Sequence, residues 1–135
     1  MILGIGTDLV SLKRIENVLH SHPQRFIEKI CHPDEIAYLS GCHCETALQP
    51  WQSKKIRTVA SCFAIKEALA KACGTGFSQG LWFSQICVSR LASGAPTLAT
   101  SGLFENYLNS LKVASIHVSV SYEKDFCQAI VILEK

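Results

Sequence analysis

No stretch of this sequence approaches the roughly 18 to 20 apolar residues that a membrane-spanning helix needs. No membrane span is therefore expected. The N-terminus lacks a basic region, and glycines and Asp8 interrupt its apolar stretch. It is not expected to act as a signal peptide. An excess of one charge is missing too: the formal net charge is only +2, so overall charge does not point to nucleic acid. Aromatic residues are modest at 8%. An even cysteine count, the usual sign of a disulfide framework, is absent as well. The seven cysteines fall mostly in apolar helical or strand-like stretches, among them Cys62, Cys73, Cys87 and Cys127. That pattern predicts reduced, buried thiols in a cytoplasmic protein.

What is present is a chain of 135 residues, 48% of them hydrophobic, which suits a single domain over 1–135 with one core. Periodicity predicts a strand at Ile2 to Asp8 and a helix at Ser11 to Ser21. Further helices are expected at Gln24 to Ile30 and from the "HPDE" start at His32 to Gly41. Gly41 to Ser53 has no clear period and reads as a loop. Lys54 to Cys73 is the longest helical pattern, with Gly74 as its cap. Strands follow at Trp82 to Leu91 and Thr97 to Thr100, then a helix at Ser101 to Lys112. Ser115 to Tyr122 alternates strictly. Glu123-Lys124-Asp125 turns the chain into Phe126 to Leu133, which is apolar on both faces and so is expected at the centre of a sheet. The fold class is α+β: a mostly antiparallel sheet packed on one long helix, with shorter helices.

Three stretches can carry chemistry. "GIGTD" looks like a nucleotide loop, but Leu9 stands where the third glycine of a dinucleotide fingerprint belongs. Read alone, Gly4 and Gly6 permit close backbone packing, and Asp8 caps the following helix. In the long helix, a wheel at about 100° per residue places Cys62, Ile65, Leu69, Ala72 and Cys73 on the core stripe. Glu67 and Lys71 lie nearly opposite, among Phe63, Ala60 and Ala64. They are either an ordinary exposed i,i+4 pair or a site that small neighbours leave open to a ligand or a second subunit. Gly74-Thr75-Gly76 follows, a loop whose amides suit phosphate.

Together, Asp8 and Glu67 offer two hard oxygen donors, while Lys71 and the glycine loop suit an anion. Carboxylates and phosphate coexist when a cation lies between them, and Mg²⁺ fits. His117 sits on the polar face of its strand, as a structural or a functional histidine. His20, His22, Cys31, His32, Cys42, His43 and Cys44 invite a zinc reading, but C-x-C lacks the usual ligand spacing.

"GIGTDLVSLKRIENVL", "FAIKEALAKACGTG" and "HVSVSYEKDFCQAIVI" in this order resemble the holo-[acyl-carrier-protein] synthases, small bacterial 4'-phosphopantetheinyl transferases. The resemblance runs nearly end to end and is weakest over Gly41 to Arg57, where the chain carries extra loop. It implies the 4'-phosphopantetheinyl transferase fold. It also implies transfer of phosphopantetheine from coenzyme A to a serine of apo acyl carrier protein, with release of adenosine 3',5'-bisphosphate, in support of fatty acid biosynthesis.

Carried onto this sequence, the resemblance makes Asp8 and Glu67 the Mg²⁺ ligands and Lys71 the contact to coenzyme A phosphate. Asp8, Glu67 and Lys71 then form the catalytic set, and Gly74, Thr75, Gly76 and His117 join Lys71 in holding coenzyme A. Arg14, assisted by Lys13, meets the acidic carrier protein. A homotrimer with sites between subunits is implied, as is a cytoplasmic location, with neither nucleic acid nor membrane as partner. One departure stands out: relatives often carry a second histidine where this chain has Tyr122. A non-catalytic binding module of the same fold and a zinc-stabilised domain are the competing readings.

Overall fold

The computed structural model describes residues 1–41 and 50–135; Cys42, His43 and Cys44 lie outside the described residues, as does the side chain of Trp51. The chain opens with β1 (Ile2–Ser11) and three short helices, α1 (Leu12–Ser21), α2 (Pro23–Ile30) and α3 (Pro33–Gly41). The long helix α4 (Pro50–Ala72) follows, then β2 (Ile86–Arg90), β3 (Pro96–Thr100), α5 (Gly102–Ser110), β4 (Ser115–Glu123) and β5 (Phe126–Glu134). The α+β expectation holds, with a difference of detail. The strands form two antiparallel sheets, β1-β5-β4 and β2-β3, rather than one.

Several boundaries also differ. The expected loop ends early, because α4 already begins at Pro50, a residue whose fixed φ suits a first helical turn. Phe83–Gln85 forms a single tight helical turn ahead of β2 rather than the start of the strand. The alternation there belongs to aromatic packing: Phe83 stacks on Phe77 with ring centroids 3.8 Å apart.

β5 is central, as its composition predicts. Its inward residues Cys127, Ala129, Val131 and Leu133 are buried, while outward Phe126 and Ile130 are exposed. The second apolar face of β5 is therefore exposed at Phe126 and Ile130.

Apolar burial seats the sheet on α4, and two glycines set how closely. A side chain at Gly4 would overlap the carbonyl of Ala72, and one at Gly6 would overlap that of Ala68. Backbone thus lies directly on backbone along this seam. Ala60, Ala64, Ala68 and Ala72 are buried. This corrects the expectation that the alanines around Glu67 leave an approach for a ligand or second subunit, because the chain's own sheet and core occupy that space.

Candidate active site

The β1–α4 seam positions the site. Inward-facing positions of β1 alternate as Gly4, Gly6, Asp8 and Val10, each paired with an inward residue of β5. Once Gly4 and Gly6 rest on the last two turns of α4, Asp8 is delivered to the side of the same helix. It does not cap α1. That role belongs to Ser11, whose side chain accepts from the Arg14 amide at 3.3 Å.

Lys71 closes the seam. Its Nζ donates to Asp8 Oδ1 at 2.7 Å and to the Thr7 carbonyl at 3.0 Å. Glu67, one turn before Lys71 on α4, is half-buried. Burial pushes its carboxyl above the usual carboxylate range, the Asp8 charge pushes the same way, and Lys71 pulls it back. Asp8 and Glu67 are therefore close enough to repel. The structure brings together Asp8, Glu67 and Lys71, three residues that sequence spacing alone left apart.

The donor set fits a magnesium ion. Two carboxylates at a partly buried edge are the hard oxygen donors it takes, and a cation would offset both the burial and the Asp8 charge that lift Glu67. In the free chain Lys71 supplies part of that compensation.

Gly74-Thr75-Gly76 lies just beyond Lys71, as expected, but its amides are not all available. The Gly74 amide donates to the Lys71 carbonyl and the Gly76 amide to that of Ala70. Both glycines adopt positive φ, 75° and 61°, and close the C-terminus of α4. A Cβ at either would meet nothing within 4 Å, so the surface here is open.

His117 is not brought to Asp8 within one chain. Register places it opposite Ile132, which faces outward with Ile5, whereas Asp8 pairs with inward Ala129. An odd offset in a strand is a change of face. His117 bonds to Glu134 at 2.8 Å, and this holds the Glu134 carboxyl below its usual range. Tyr122 is on the inner face. Its hydroxyl donates to the Arg57 carbonyl at 3.0 Å, and the Arg57 guanidinium sits 5.3 Å from its ring centroid. Lys13 and Arg14 are both exposed on α1, just before buried Ile15.

The histidine and cysteine cluster does not assemble among the described residues. Cys31 is in the core, and burial pushes its thiol up to about 11. His32 instead lies with Asp34 and Cys87, their ligand atoms within 4.8 Å of one another. Its Nδ1 already accepts from the Asp34 amide at 3.2 Å. Cys31, Cys62, Cys73, Cys87 and Cys127 are free thiols, as expected.

Sequence reasoning missed one pair. Lys66, next to Glu67, is fully buried and bonds to Glu35 at 2.6 Å. A signal existed: the helical neighbours of Lys66 at three and four residues are Cys62, Phe63, Leu69 and Ala70. A lysine so flanked lies within the apolar stripe.

Comparison with known proteins identifies the chain's family. The family model described as the 4'-phosphopantetheinyl transferase superfamily matches residues 4–131. A holo-[acyl-carrier-protein] synthase from Maridesulfovibrio salexigens is 38% identical over 135 residues, covering 100% of both chains. The crystal structure of holo-[acyl-carrier-protein] synthase from Neisseria meningitidis superposes with a TM-score of 0.86 at 32% identity, covering 100% of both chains. A holo-(acyl-carrier-protein) synthase from Bacillus anthracis, in complex with CoA (3',5'-ADP), gives a TM-score of 0.76 at 34% identity, covering 98% of this chain and 96% of that one. By sequence along its whole length and by fold, the chain belongs to the 4'-phosphopantetheinyl transferase superfamily, among the holo-[acyl-carrier-protein] synthases.

Proposed function

We propose that this chain, as one catalytic domain over residues 1–135, moves 4'-phosphopantetheine from coenzyme A to a serine of apo acyl carrier protein. Adenosine 3',5'-bisphosphate is the other product. The observation that carries this reading is the meeting of Asp8, Glu67 and Lys71 at the β1–α4 seam in a member of this family. Asp8 and Glu67 hold Mg²⁺. When bound, the ion supplies charge stabilisation to the pyrophosphate and makes the attacked phosphorus more electrophilic.

The chain's own residues do the rest. The serine oxygen forms its bond to phosphorus as the pyrophosphate P–O bond breaks. Glu67 accepts the serine proton, directly or through a water. Lys71 is half-exposed and held by two solvent-accessible hydrogen bonds, to Asp8 and to the Thr7 carbonyl, which its ammonium exchanges for the departing bisphosphate. The open glycine surface at Gly74 and Gly76 admits coenzyme A, with Thr75 between them. Arg14 and Lys13 present charge on α1 to an acidic carrier protein.

A homotrimer completes the reading. Outward Ile5, Leu9, Phe126 and Ile130 are exposed on one face of the β1-β5-β4 sheet, a surface suited to a second copy. His117 lies on that face, so it serves a neighbour's site rather than its own. The product supports fatty acid biosynthesis in the cytoplasm.

The test mixes the protein with coenzyme A, Mg²⁺ and apo acyl carrier protein and weighs the carrier by mass spectrometry. A phosphopantetheine adduct is expected, with trimers in native spectra. An unmodified carrier under both Mg²⁺ and Mn²⁺ would remove the proposal.

A further inference from the structure

The β1–α4 seam is close but smooth. Glycine lying on alanine has no ridges to interlock, so this contact sets distance well and rotation poorly. Something else must fix how α4 is turned about its axis.

Buried Val59, Ile65 and Leu69 contribute by packing, and one buried polar point on the helix adds directional bonds to them. Lys66 Nζ donates to Glu35 Oε2 at 2.6 Å and to the Ile30 carbonyl at 2.7 Å. Glu35 Oε2 also accepts the His32 amide at 2.7 Å, and its Oε1 accepts the Val88 amide at 2.6 Å. The end of α2, the start of α3 and strand β2 are thereby tied to one side chain of α4. Among the described residues, no buried side-chain nitrogen or oxygen lacks a partner.

We infer that Lys66 and Glu35 are positioning residues: their sealed pair fixes the rotation of α4 and so places the Glu67 carboxylate against Asp8. This rests on the proposed role of Glu67. Stability does not account for the pair, because a buried ion pair is often no better than apolar side chains of similar volume. Leverage does. A carboxylate about 6 Å from a helix axis moves about 1 Å when the helix turns by about 10°. An error of about 1 Å in a reacting geometry can cost about 100-fold in rate. Neither residue touches substrate. They act through the backbone of α4 on the residue next to Lys66.

The test replaces the pair with neutral side chains, Lys66→Met/Glu35→Gln, and measures three things. Thermal melting is expected to stay cooperative. Mn²⁺ binding to the free protein, read by electron paramagnetic resonance, should weaken about tenfold. In transfer, kcat should fall about tenfold or more while KM for the carrier protein holds, since α1 is untouched. A folded double variant with the parent's Mn²⁺ affinity and kcat would overturn the inference. If the variant melts without cooperativity, the same readings in a folding osmolyte decide it. Mn²⁺ binding by the parent that Asp8→Ala leaves unchanged would instead overturn the reading of the site, and the positioning role with it.

Discussion

Two lysines five residues apart on α4 each hold a carboxylate at almost the same distance. Lys66 meets Glu35 at 2.6 Å with side-chain exposures of 0% and 4%. Lys71 meets Asp8 at 2.7 Å with exposures of 50% and 14%. Bond length does not separate them; surroundings do. Glu35 has both oxygens bonded to backbone amides as well, and burial leaves that pair no route to solvent. Lys71 can leave Asp8 for water or for an incoming phosphate at little cost. The sealed pair is architecture. The open pair is, on the proposed function, a site at rest, in which the lysine stands where a cation and an anionic substrate would divide its work.

Breaking each pair should expose this division, and the largest effect is expected at the open one. Asp8→Ala should lower transfer about 1000-fold, equivalent to about 4 kcal/mol, because it removes a proposed metal ligand. Its unfolding free energy should change by less than about 1 kcal/mol, the usual worth of a solvent-accessible pair. Lys66→Met alone should fall chiefly on stability, with a smaller kcat loss of about tenfold beside it. It leaves Glu35 charged and buried, at a loss of about 3 to 5 kcal/mol in denaturant unfolding. If Asp8→Ala cost more stability than Lys66→Met, the contrast would collapse.

A subtler effect concerns Glu67, which lies between the two pairs along the helix. Its carboxyl holds a proton to higher pH in the folded chain than at its ordinary 4.5. The favourable contribution of the protonated group is therefore complete below about 4.5 and is lost as pH rises through the raised value. Glu67→Gln mimics the protonated form permanently. Its Tm should match the parent near pH 4 and exceed it near pH 8, while transfer is lost. A Tm below the parent's at pH 8 would mean that ionised Glu67 stabilises the free chain, contrary to the repulsion from Asp8.

Much of this was legible before any coordinates. β5 was placed at the sheet centre from its two apolar faces, and the close packing of Gly4 and Gly6 from the absence of side chains. The core stripe Cys62, Ile65, Leu69, Ala72 and Cys73 is buried as the wheel predicts. What was not legible was a side chain's distant partner. A wheel ranks residues by their own polarity, so it could not show that Lys66 is neutralised by Glu35, 31 residues away. Nor could it show that the alanine face already has a cover. Strand alternation put His117 on a polar face, but only register revealed that this face is the far side of the sheet from Asp8.

The smallest effect is the most specific to the comparison. Lys71→Met removes the open pair and should change unfolding free energy by only about 0 to 1 kcal/mol at low salt. In 1 M salt the screening length falls to about 3 Å, so the difference between this variant and the parent should shrink toward zero. The Lys66 pair is shielded from ions by protein on every side, so the loss in Lys66→Met should persist at the same salt. A second consequence follows from the charges. Lys71 pulls the Glu67 pKa down against burial and Asp8. Without it, Glu67 should titrate still higher, and the pH at which Mn²⁺ begins to bind should move up with it. Salt-insensitive destabilisation, or an unmoved onset of Mn²⁺ binding, would place Lys71 with Lys66 as a structural lysine and leave Asp8 and Glu67 without their resting counter-charge.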